Sequence, residues 1–188
     1  MQITFRKTGD RTVETMALRD DGVVVELRGS SRPSELPHDL RHYVVEVELG
    51  LKGGFWGCIA RGALFPGMTV ISRSRQSDAK ARSQALIRST HQERGASELL
   101  VRAFEAAARI TDPALRFAEL VSPEVRQWFP AHVEKDTRRR IVERLRILES
   151  RWQELSVGES MTVVWPSRGA RAHPPSYRSG SPLRQAHR

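Results

Sequence analysis

Between Pro37 and Gly50 the chain reads PHDLRHYVVEVELG, and both ends of that segment carry helix punctuation. Proline suits the first turn of a helix, where its missing N–H would have no partner, and glycine stops a helix by taking the left-handed conformation that other residues avoid. At roughly 100° per residue, Leu40, Val44, Val47 and Leu51 line one face, while Val45 and Leu49 lie nearly opposite, on the side of His38 and His42. A helix that is apolar on two faces has to be covered on two sides. That requirement excludes a lone surface helix and asks for a packed neighbour on each flank.

The polar residues of the second face form the one compact cluster with chemical potential. His38 and His42 are one turn apart and Glu46 follows after another turn. Imidazoles at i and i+4 converge on one ion, and a carboxylate farther along the same helix can add a third donor. His38, His42 and Glu46 are therefore a candidate site for one divalent transition metal. Asp39, the other polar residue of the group, sits in the first turn, where a carboxylate offsets the partial positive charge of the helix end. The same residues also fit a structural role, in which each imidazole is satisfied by neighbouring carboxylates or carbonyls, and a direct acid/base role.

The string HDLRH resembles the HExxH helix of zinc-dependent peptidases. It departs from that pattern at Asp39, whose carboxylate replaces the glutamate base and sits one methylene closer to the backbone, and no third-ligand motif follows downstream. LPHDLRHYVVE followed by GFWG also resembles a signature of a family of uncharacterised bacterial proteins; the resemblance covers the first third of the chain and implies no activity.

Around this helix the pattern is that of an α+β fold. Gln2 to Arg6, Thr12 to Leu18 and Val23 to Leu27 read as strands separated by Thr8-Gly9-Asp10 and Asp20-Asp21-Gly22 turns, which makes a three-stranded antiparallel meander. Such a sheet needs one face covered, and the Leu40/Val44/Val47 stripe is the nearest cover. Met161 to Trp165 reads as a fourth strand, ended by Pro166, whose nearest pairing partners are in the N-terminal sheet. Ser34 is placed to cap the helix from the preceding connection. In Gly53-Gly54-Phe55-Trp56-Gly57 the glycines permit close backbone approach while the aromatics bury large areas, an aromatic latch, with Cys58 beside it as a small buried residue.

The middle of the chain is less regular. Ala63 to Ile71 contains a Pro66-Gly67 turn, and Ser72 to Arg94 lacks a consistent apolar period, so it reads as a partly mobile basic linker in which Ala79, Ala81, Ala85, Leu86 and Ile87 would support a short helix. Gly95 is the expected break, with Ser97 capping a helix to about Ile110. Asp112-Pro113 and Ser122-Pro123 each pair a capping side chain with proline at the first helical position, predicting short helices near 113–121 and 123–129. From Val133 to Leu155 the longest helix carries Ile141, Leu145, Leu148, Trp152 and Leu155 in a seam of about two heptads, too short to stand alone. That seam asks for other helices, a homodimer or a protein partner.

Charge and cysteine content limit the remaining possibilities. The net charge of +9 is confined to two stretches, because residues 1–71 carry 9 basic and 9 acidic side chains and residues 95–166 carry 11 of each. Residues 72–94 add +4 and residues 167–188 add +5, so the body is not a basic surface and nucleic acid contact would be weak and non-specific. Of the 31 basic residues 27 are arginine, as in proteins of GC-rich bacterial genomes. The single cysteine excludes an internal disulfide and cysteine-rich metal knuckles, and it points to a reducing cytoplasm. No run approaches ~20 apolar residues, so no membrane span is expected. The expected organisation is one domain over 1–166 and a disordered Arg/Ser/Pro-rich tail over 167–188.

Two functions of different class follow from these residues. One is a metal or polar-ligand site on the HDLRH helix, with hydrolytic chemistry open. The other is a non-enzymatic interaction module using the helix seam and the basic tail. If the tail is a disordered appendage, deleting residues 167–188 leaves the melting temperature nearly unchanged and removes most non-specific DNA binding, since 5 of the 9 excess charges go with it. DNA affinity that survives both truncation and raised salt would point to a folded recognition surface instead.

Overall fold

Alternation in the first thirty residues becomes three antiparallel strands, β1 (Gln2–Lys7), β2 (Thr12–Leu18) and β3 (Val24–Ser30). The computed structural model describes residues 1–32, 35–72, 79–109 and 135–166. Period-two patterning puts Ile3, Phe5, Val13, Ala17 and Val25 on one buried face, while Gln2, Arg6 and Arg28 stand on the other. The expected C-terminal strand, β5 (Ser160–Val164), pairs antiparallel with β1 in the register Ile3↔Val163 and Phe5↔Met161. A fifth strand, β4 (Met68–Val70), adds to β3. Its three residues are too few to carry a period, and sequence reading saw only the preceding turn. The sheet order is β4-β3-β2-β1-β5.

The central helix α1 (His38–Leu49) ends where glycine was expected to end it, at Gly50 with φ 65°. Its start differs by one residue. Pro37 is the capping position and no side chain caps the helix; Ser34 lies outside the described residues. Seven consecutive residues of α1, Leu40 to Glu46, are buried, which is possible only if the helix is surrounded. Leu40 and Val44 share one core cluster with Ile3, Phe5 and Val13 of the sheet, and Val47 is packed at its margin. The Tyr43 hydroxyl donates to the Val164 carbonyl at 2.9 Å, tying α1 to the edge strand β5.

The aromatic latch is a short helix, α2 (Phe55–Ala60), and Trp56 is fully buried with its ring edge-on to Phe5 at 5.8 Å. Its indole N–H donates to the Asp39 carbonyl at 2.6 Å. Cys58 is buried beside it, with its thiol pushed up by burial and set against Thr90 Oγ1 at 3.2 Å. The thiol is thus a packed group rather than a nucleophile.

Downstream, two expectations change and a third resolves among its alternatives. Part of the segment expected as a linker is α3 (Ala79–Ser89). It is attached by hydrogen bonds more than by an apolar stripe: its buried residue is Ser83, whose hydroxyl accepts the Leu64 N–H at 2.8 Å. The next helix, α4 (His91–Ala108), runs straight through Gly95 and Ser97, the expected break and cap. Burial of Ala96, Leu100, Val101 and Phe104 along α4 outweighs the ~1 kcal/mol that an internal glycine costs. The longest helix, α5 (Lys135–Glu154), carries the expected seam, and Ile141, Leu145, Leu148 and Trp152 are all buried. They pack on α1 and α4 of the same chain, so of the three covers the seam asked for, other helices of the same chain supply it. Residues 73–78, the short helices expected at 113–121 and 123–129, and the tail from 167 lie outside the described residues. No helix among the described residues is long and apolar enough to cross a membrane.

Val44 is fully buried at the junction of helix and sheet, and a carboxylate there would have neither water nor a partner. Val44→Asp is expected to abolish the cooperative thermal transition, read by circular dichroism. A soluble V44D chain that melts cooperatively would show that this face of α1 is not in the core.

Candidate metal centre

The site begins with a backbone problem at α2. The first N–H groups of a helix have no intrahelical acceptor, and those of Phe55 and Trp56 donate to the Glu46 carboxylate, to Oε1 at 2.6 Å and to Oε2 at 2.9 Å. Glycine at 54 is what permits this, because a Cβ there would stand 2.3 Å from Glu46 Cδ. The Ser97 hydroxyl of α4 donates to Oε1 at 2.8 Å, and His42 Nδ1 lies 3.0 Å from the same oxygen. Glu46 is fully buried, and its partners come from the first turn of α2, from α4 and from the preceding turn of α1.

With Nδ1 turned to Glu46, the other nitrogen of His42 faces α4. His42 Nε2 is 3.0 Å from Glu98 Oε2 and 3.2 Å from His38 Nε2, and His38 Nε2 is 3.2 Å from the same Glu98 oxygen. The two imidazoles stand edge to face with centroids 4.8 Å apart, and Phe55 walls His42 at 5.8 Å. Arg102, one turn along α4, donates to Glu98 Oε1 at 2.9 Å, which leaves Oε2 toward the histidines. The cluster opens outward through His38, whose side chain is 46% exposed, while that of His42 is 8% exposed.

Among the described residues, His38, His42 and Glu98 form the group of donors able to hold a metal ion. His38 and His42 are where their spacing on α1 puts them. Glu46 is near, but on the Nδ1 side of His42, so it touches the back of the ring rather than the point of convergence. Asp39 contributes its carbonyl to Trp56, and its half-buried carboxylate is not in the group. Glu98 takes the position assigned to Glu46. No local signal in the sequence marks Glu98, because its contact with α1 spans 60 residues of chain; the clue was only that a buried histidine pair needs partners. Ser97 was read as a cap and is instead fully buried against Glu46.

Electrostatics set the protonation of the metal-free cluster. Burial works to lower the pKa of His42, but the hydrogen-bonded carboxylates Glu46 and Glu98 outweigh it and raise the value to about 9. Glu98 is held well below the usual carboxylate range, chiefly by its hydrogen bond to His42, against the opposing effect of burial. The Asp39 carboxyl is pushed up by burial, an effect that the two histidines partly offset. His42 is therefore an imidazolium bridging two carboxylates.

No protein-family model, curated protein or solved structure matches this chain.

In metal-free protein the His42 imidazole is expected to titrate near pH 9 in an NMR series rather than near 6.5. Its folded value lies above the unfolded one, so its contribution to stability is complete below about pH 6.5 and is lost as the pH rises through about 9. Glu98 is displaced the other way; its contribution is present above about pH 4.5 and is lost as the pH falls through its lowered value. Denaturant unfolding should show the network at full strength between those two limits. A His42 that titrates near 6.5 without metal would contradict the bridged arrangement.

Proposed function

We propose that the protein binds one divalent transition-metal ion through His38 Nε2, His42 Nε2 and Glu98 Oε2, and that the ion keeps at least one coordination position for water or a ligand. The observation that carries this reading is the triangle of donor atoms, with sides of 3.0, 3.2 and 3.2 Å. Tetrahedral donors ~2.0–2.1 Å from zinc stand about 3.3 Å from one another, so an ion would fit above this triangle with little movement of the side chains. Two imidazoles and a carboxylate are also the donor set of non-haem iron(II) sites. Charge supports the reading as well: Glu98 and Glu46 together carry the two negative charges that a dication balances.

Three protein donors do not fill the coordination sphere of such an ion. The cluster is open on the side of His38, where water or a substrate oxygen would have access to a bound ion. A metal there supplies Lewis-acid or water-activating chemistry, and hydrolysis is the reaction class that this chemistry serves most directly.

A second reading has its own support. The cluster is satisfied without an ion, because His42 as imidazolium donates to Glu46 and Glu98, and Arg102 holds the other Glu98 oxygen. In that case the four residues are a structural lock between α1 and α4. The interaction-module reading loses the helix seam, which is packed inside the chain, and keeps only the basic tail, which lies outside the described residues.

Metal analysis separates the two. Protein made without a histidine tag and reconstituted with zinc, manganese or iron(II) should retain close to one ion per chain after desalting. His38→Ala, His42→Ala and Glu98→Ala should each lower affinity by more than the ~10–100-fold that loss of an outer-shell partner costs. Retention of none of the three metals by the unaltered protein would leave the structural lock as the function of these residues.

A further inference from the structure

We infer that Glu46 is a positioning residue of the metal site, an outer carboxylate that aims His42, and that the N-terminus of α2 and Ser97 belong to the site because they hold Glu46. This rests on the metal-binding reading above. It replaces the role of third ligand that spacing along α1 suggests for Glu46.

A histidine that ligates through one nitrogen is fixed in tautomer and orientation when the other donates to a carboxylate, and the contact makes the ligating nitrogen more basic. His42 has that arrangement: Nδ1 lies 3.0 Å from Glu46 Oε1, and Nε2 is directed at Glu98 and His38. Glu46 cannot swing round to join the donors. Phe55 and Trp56 N–H groups and the Ser97 hydroxyl occupy both of its oxygens, and Gly54 packs against its carboxyl carbon. A carboxylate with no exposed surface is costly unless positive charge lies close by. Its hydrogen-bonding neighbours are the electropositive N-terminus of α2, the Ser97 hydroxyl and the His42 ring.

A helix cap alone would also explain the Phe55 and Trp56 contacts. The two roles differ in what they move: a cap affects stability, whereas an outer carboxylate affects metal affinity with the donor set unchanged. Glu46→Gln keeps the shape, removes the charge, and turns an NH₂ group toward the α2 N–H donors. Ser97→Ala removes one donor to Glu46 and leaves α1 intact. Both should be compared with unaltered protein by zinc competition against a chromophoric chelator and by the visible spectrum of the cobalt(II) form.

The expected result is zinc affinity ~10–100-fold lower in E46Q, a smaller fall in the same direction in S97A, and cobalt bands unchanged in position in both. Equal affinities in all three proteins would overturn the inference and leave Glu46 as a cap. A cobalt spectrum altered in E46Q in the manner of E98A would overturn it differently, by making Glu46 a direct ligand. If E46Q does not fold, S97A decides the question alone. Failure of unaltered protein to take up any ion would overturn the metal site itself, and is told apart from the other outcomes by that first measurement.

Discussion

One buried carboxylate joins three helices. Glu46 belongs to α1, accepts the opening N–H groups of α2, and receives a hydroxyl from α4. Without it the buried Trp56 N–H would lose its acceptor, and a buried, unsatisfied polar group costs about 1–3 kcal/mol. The constraint is mutual. α2 can start only where Glu46 ends, α4 must present Ser97 at that height, and Gly54 must lack a side chain for the carboxylate to arrive. Position 42 then follows, because the ring of His42 is caught between this carboxylate and the next residue of α4, Glu98.

The arrangement fixes a charge pattern as well as a packing. Two glutamates face one histidine from opposite sides, and the ring is buried while one of the glutamates is fully so. Without an ion, a proton on His42 carries the compensating charge; with one, that proton has to leave because ligation needs neutral imidazole. Under the proposed metal binding, proton and metal would compete for the same nitrogen, and Glu46 and Glu98 together would set that competition.

Around this cluster, α1 is held by contacts of a different kind on each side. The sheet meets it through Leu40 and Val44, β5 through the Tyr43 hydroxyl, and α4 and α5 through ion pairs at its margins. Arg41 is paired with Glu105 at 2.8 Å, and Arg144 of α5 with Glu48. Arg144 also lies over the Tyr43 ring at 5.5 Å. An interior helix with polar residues on most of its turns is tolerable because nearly every one of them has a partner from a neighbouring element. The half-open end at His38 is where the surrounding elements stop covering it.

What the sequence determined by itself is what local periodicity encodes. The meander, the strand expected at Met161 to Trp165, the stop at Gly50 and the two covered faces of α1 were legible because burial on one face imposes a period of 2.0 or 3.6 on the residues themselves. The spacing of His38 and His42 was legible for the same reason. Only the tertiary structure decided the rest. α3 is anchored through a serine rather than an apolar stripe, and α4 ignores the glycine at 95 because its packing outweighs a weak local preference. Above all, Glu98 and Ser97 reach the histidines across more than fifty residues of chain, by the crossing of α4 over α1, and no repeat in either segment records where two helices cross. A polar cluster between helices is fixed by the geometry of that crossing, so its first half could be read from one helix and its second half required the fold.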